Sequence, residues 1–167
     1  MKGTDKYLIG IVAGIILLVV VAFAVVLLRP KPEYRGDDSP EAVVHNYLLA
    51  LRKGDYERAY DSLSSNLKNY PKDVETFMQD VDDRQWVFRQ DSDVALNVES
   101  VKILGDTATV EVFESRFNNS GLFDSGQYEN QFDMKLRLED GSWKLFDGDS
   151  YWTSCWDKEE QEDSRCW

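Results

Sequence analysis

Few side chains in this 167-residue chain could do chemistry: one histidine, His45, two cysteines, Cys155 and Cys166, and 31 Asp and Glu residues. An imidazole works as a general base near neutral pH only when a partner orients it. At helical spacing His45 has Glu41, Leu49 and Arg52 for neighbours, which places it at the edge of a helix, and it is expected to be a partly exposed structural residue. A buried carboxyl beside a tyrosine is the other acid–base arrangement available. Tyr47 and Tyr60 are expected to face inward, but Asp133 falls on the polar face of its strand and Asp147 follows the last apolar run. The chain has no glycine-rich phosphate loop, nucleophile elbow or metal-binding histidine cluster. No catalytic residue is assigned on these grounds.

The carboxylates cluster around Asp80 to Asp83, Asp91 to Asp93, Asp147 to Asp149 and Asp157 to Asp163. None of these stretches has the glycine and terminal glutamate of a twelve-residue calcium loop, so a solvated acidic face is expected, with no metal and no cofactor. The formal charge of the whole chain is -12. Residues 30–167 carry 16 basic and 30 acidic side chains, a net of -14. Such a surface is repelled by phosphate backbones and excludes nucleic acid as a partner.

Both cysteines lie in the last stretch, YWTSCWDKEEQEDSRCW. In an oxidising compartment Cys155 and Cys166 are expected to pair and to hold Trp156 and Trp167 near a packing surface. In the cytosol they would be two thiols in a frayed tail. Their spacing is not that of a Cys-x-x-Cys redox pair, and the cations near them in sequence are Lys158 and Arg165.

What positions these groups begins with an apolar rod. Leu8 to Leu28 is 21 residues without a charge. As a helix it spans about 31 Å, the thickness of a bilayer's hydrocarbon core. A membrane-spanning helix is expected over 8–28. A cleaved leader ending near Ala22-Phe23-Ala24 is the rival, weakened by the apolar residues that follow. Basic residues flank both ends about equally, so the short tail at 1–7 and the cysteines decide the orientation: N-terminus inside, domain outside at the cell membrane. Gly10 and Gly14 form a small-x-x-x-small pair through which two copies of the helix could meet.

Residues 29–38, with Pro30 and Pro32, read as a spacer. Ser39-Pro40-Glu41 opens a helix carrying Val44, Tyr47, Leu48 and Leu51, and Gly54 ends it. Asp55 caps a second helix with the stripe Tyr56, Ala59, Tyr60, Leu63 and Leu67. A third carries Val74, Phe77, Met78 and Val81. The period then falls to two. Val94, Leu96 and Val98 alternate, and Val101 and Ile103 resume after a bulge at Glu99-Ser100. Ala108, Val110 and Val112 form one strand face, Phe132 to Leu138 another, and Asp140-Gly141 turns into Ser142 to Phe146. Helices followed by an antiparallel meander give an α+β domain over 39–152, with a disulfide-closed acidic cap at 153–167.

The stretch SPEAVVHNYLLALRKGDYERAYDSLSS, a third helix and long strands ending in DGSWKLFD resemble the nuclear-transport-factor-2-like superfamily, closest to membrane-anchored bacterial envelope proteins of that type. The resemblance implies three helices on a curved antiparallel sheet shaped as a cone, whose open end can hold a pocket. Tyr47, Tyr60, Phe77, Trp86, Phe113, Phe132 and Trp143 are the residues that would line it, or simply form its core. Some members of the superfamily are isomerases or dehydratases and others bind ligands or partners. The reading preferred here is a membrane-anchored, non-catalytic module for a protein partner or a small ligand. An isomerase-like or dehydratase-like enzyme using the cone and a structural homodimer are the alternatives. A filled interior with an exposed aromatic patch would favour partner binding, and an open one lined by an ionisable group would favour an enzyme.

Overall fold

The computed structural model describes residues 4–28, 32–88, 94–119 and 125–157. The chain divides into two compact units, Met1–Glu33 and Tyr34–Trp167.

The first unit holds one helix, α1 (Thr4–Leu27). Its segment Tyr7–Val25 is long and apolar enough to cross a membrane, and none of that segment is buried within the structure. Gly10 and Gly14 both lie on α1, and a Cβ added at either would meet nothing within 4 Å.

The second unit contains α2 (Pro40–Lys53), α3 (Tyr56–Asp61), α4 (Val74–Asp83), α5 (Gln85–Phe88) and four strands, β1 (Val94–Leu104), β2 (Thr107–Asn119), β3 (Ser125–Glu139) and β4 (Ser142–Gly148). The strands form one antiparallel meander in the order β1-β2-β3-β4. Local chemistry sets most of these bounds. Ser39 accepts from the Ala42 amide at 3.2 Å, Pro40 takes the first turn, and Gly54 closes α2 with φ at 68°. The expected bulge lies between Val98 and Ser100. Asp140 and Gly141 both have positive φ, 49° and 84°, the pair of values that a two-residue hairpin of the right twist demands.

The expected count of three helices is corrected to four in this unit. The stripe from Tyr56 to Leu67 does not form one helix, because α3 ends at Asp61. The open edge of β4 takes the backbone that would have continued it. Leu145 donates to the Ser62 carbonyl at 2.9 Å and accepts from the Ser64 amide at 2.7 Å. Leu63 and Leu145 form a parallel bridge there. Three serines within four positions, Ser62, Ser64 and Ser65, favour side-chain bonds over helix and make that exchange cheap. The arms of the β2–β3 hairpin are long, since β2 runs to Asn119 and β3 starts at Ser125.

The core lies between the helices and one sheet face. α2 lies against β1, β2 and β4. Val44, Tyr47, Leu48 and Leu51 from α2 meet Ala108, Val110 and Val112 from β2 and Phe132, Met134 and Leu136 from β3. Tyr151, Trp152 and Trp156 close the same core from the C-terminal side. Trp156, placed by the sequence in a separate cap, is 1% exposed. The spacer expected over 29–38 is tied down from Tyr34 onward. The Tyr34 hydroxyl donates to Asp55 at 2.8 Å, and the Arg35 amide donates to Asn46 Oδ1 at 2.8 Å. The Arg58 guanidinium sits 4.1 Å from the Tyr34 ring centre.

Candidate functional site

The seven aromatic residues proposed from sequence fall into three groups. Tyr47, Phe77 and Phe132 are buried in the core, and Tyr60 and Trp143 are partly buried against it. Phe113 lies half-buried on β2, on the opposite face from Val112. Trp86 is 79% exposed on α5. Five of the seven therefore belong to the core or pack against it. The Tyr47 hydroxyl donates to the Tyr151 carbonyl at 2.7 Å, and burial raises its pKa well above the usual phenol value. The Tyr60 hydroxyl donates to the Pro71 carbonyl at 2.9 Å, and its ring lies 5.9 Å from that of Phe77.

Four further rings, Phe88, Tyr151, Trp152 and Trp156, fill this interior. Trp156 stacks on Phe77 with centroids 5.4 Å apart, lies 5.7 Å from Phe88 and meets Trp152 edge-on at 4.9 Å. Its indole N–H donates to Asp80 Oδ2 at 2.8 Å, and Asp80 also receives Arg84 Nη1 at 3.1 Å. An acidic residue of α4 thus anchors a ring 76 positions away.

Among the described residues one carboxyl group sits inside. Glu114 is fully buried on β2, on the same face as Ala108, Val110 and Val112, and Arg116 Nε donates to it at 2.6 Å. The Arg116 side chain keeps 31% of its surface exposed. Sequence reading missed Glu114, although the signal was present. The alternation of even positions from Ala108 carries straight through Val112 to Glu114. A carboxylate buried in this way is tolerated because a guanidinium two residues along the same face reaches back to it.

Two surface grooves stand out among the described residues. The first, about 540 Å³, lies between the Arg35 to Asp38 strap, α2, α3 and the Ser142 to Lys144 turn, with Trp143 and Val43 among its walls. One ion pair among its charges is formed within the groove wall, between Asp55 and Arg58. Asp55 receives both the Tyr34 hydroxyl and Arg58 Nε, at 2.8 and 3.2 Å. The Tyr34 hydrogen bond is the chief cause of its lowered pKa. Lys144 Nζ donates to the Asp61 carbonyl at 2.5 Å.

The second groove, about 560 Å³, is lined by Asp83, Arg84, Trp86, Asp149, Trp152 and Cys155, among others. Arg84 corrects the expectation that only Lys158 and Arg165 bring positive charge near the cysteines. Its Nη2 lies 3.7 Å from Cys155 Sγ, brought there across 71 positions by α4. Cys166, the other half of the expected pair, lies outside the described residues, as does Trp167. His45 is half-buried on α2, as its spacing implied. The second groove is the better candidate because it combines an exposed indole, carboxylates and backbone from two separate elements.

No family model matches the chain, and no curated protein matches it. Solved structures similar to it include a SEC-C motif containing protein from Rhodopseudomonas palustris, at 18% identity and TM-score 0.48, covering 70% of this chain and 81% of that one. A nuclear-transport-factor-2-like protein of unknown function from Shewanella oneidensis has 13% identity and TM-score 0.42, covering 64% and 90%. A protein of the same type with a cystatin-like fold from Novosphingobium aromaticivorans has 15% identity and TM-score 0.44, covering 65% and 75%.

Proposed function

We propose that this chain is a single-pass membrane protein whose folded unit stands outside the cytoplasm and binds a partner without catalysis. It would be a member of the nuclear-transport-factor-2-like superfamily in which the sheet wraps α2 as a cone, and the cone is closed by the chain's own rings. The observation that carries this reading is the contrast between inside and outside. The interior holds Phe77, Phe88 and Trp152 around Trp156, which touches all three, whereas Trp86, an expensive side chain to leave in water, stands 79% exposed at a groove. Glu114 lends an enzyme little support, because its carboxylate is engaged by Arg116 inside packed side chains.

The anchor reading rests on α1, whose apolar span matches the hydrocarbon thickness. In the same reading Cys155 and Cys166 form a disulfide, which in the chain-entropy model is worth roughly 3 kcal/mol for a loop of this size. Labelling intact cells that express the full chain with a membrane-impermeant maleimide tests both parts. Labelling that requires prior reduction but not lysis is the expected result. Labelling that requires lysis but not reduction would place the unit in the cytosol with free thiols and remove this reading.

A further inference from the structure

We propose that the Trp86 groove receives a lysine- or arginine-bearing segment of a partner protein, an inference that rests on reading the unit as a binding module. Three features of the groove select that chemistry. Trp86 offers an open indole face, the best aromatic platform for a cation. Asp83 from α4 and Asp149 from just past β4 line the same groove, so a cation entering it meets a carboxylate from each, Asp149 also accepting from the Asp133 amide at 3.1 Å. The cation already present among the described lining residues, Arg84, is held by Asp80 at 3.1 Å and does not cancel them.

The third feature points to backbone rather than to a free cation. Trp152 lines the groove and is 5% exposed, yet its indole N–H has no hydrogen-bond partner among the described residues. A buried donor in that state costs free energy until an acceptor arrives. Binding that turns this indole edge into the groove lets a peptide carbonyl accept from it while an adjacent basic side chain reaches Trp86. The net charge of -14 on residues 30–167 would draw basic segments to this surface and speed their encounter. A neutral sugar ring would also stack on Trp86, but it gains nothing from that charge.

The test uses the full chain in phosphatidylcholine nanodiscs with its indole nitrogens labelled for NMR. The probes are a blocked Gly-Lys-Gly-Arg-Gly-Lys-Gly peptide and its glutamate counterpart. Expected is a joint movement of the Trp86 and Trp152 indole signals with the basic peptide alone, and an unmoved Trp156 signal. Trp86→Ala, at an exposed site, should weaken the binding at least tenfold without moving the Trp156 signal. Asp83→Asn with Asp149→Asn should weaken it severalfold, and raised salt should do the same. Equal response to the acidic peptide, or no movement of any indole, overturns the proposal. Movement of Trp86 with a chitin or cellulose oligomer but not with the basic peptide assigns the groove to glycan and also overturns it. Movement confined to Trp143 leaves the module a binder while refuting this groove.

Discussion

Trp156→Ala is expected to cost about 4 kcal/mol or more, a large share of the roughly 5–15 kcal/mol that holds a domain folded. The side chain is 1% exposed and touches Phe77, Phe88 and Trp152, so truncation leaves a cavity that these rings cannot all fill. It also removes the indole donor from Asp80, a charge-assisted hydrogen bond of 2.8 Å. Trp156→Phe separates the two losses. It keeps a ring against Phe77 and leaves Asp80 its bond to Arg84, so about 1–2 kcal/mol is expected. Urea denaturation of the two variants measures this, through midpoints that shift while the slope stays constant. Equal, small shifts for both would show that the C-terminal segment is not part of the core.

Arg116→Met is expected to be the second most damaging single change, at about 3 kcal/mol. It removes the guanidinium that meets the fully buried Glu114 carboxylate at 2.6 Å, and taking one partner from a buried ion pair is among the costlier changes a core can suffer. Glu114→Gln should cost less, because Arg116 keeps 31% of its surface exposed and can turn to water. The double change Glu114→Leu with Arg116→Met should recover most of the loss, since an apolar pair asks for no desolvation. A double-mutant cycle measured in urea gives the coupling directly. Losses that simply add would mean that the two groups do not stabilise each other.

The sequence is most informative where neighbours along the chain decide the outcome. Ser39, Pro40 and Gly54 bound α2 through bonds made within a few residues, and the Asp140-Gly141 turn needs only its own backbone. The alternation of β2 and β3 gives the sheet face directly. It is least informative where distant segments compete. The Tyr56 to Leu67 stripe has the right period for a helix, but the β4 edge, some 80 residues on, captures Ser62 and Ser64. Trp86 has four residues of helix around it, too few for a period to say which way it points. The pairings Asp80–Trp156 and Arg84–Cys155 each join residues more than 70 positions apart, so no local pattern encodes them. Glu114 is different: its position was written in the alternation, and only its charge made it look like a surface residue.

These strands meet in one claim, that the protein closes its interior with its own C-terminal rings and turns an indole outward for recognition. Labelling the full chain with fluorotryptophan and adding a soluble gadolinium chelate reads each ring's access to solvent separately. The expected spectrum loses the Trp86 signal to broadening while those of Trp152 and Trp156 persist. Broadening of Trp156 to the same degree as Trp86 would mean that the interior is open, and would contradict the account.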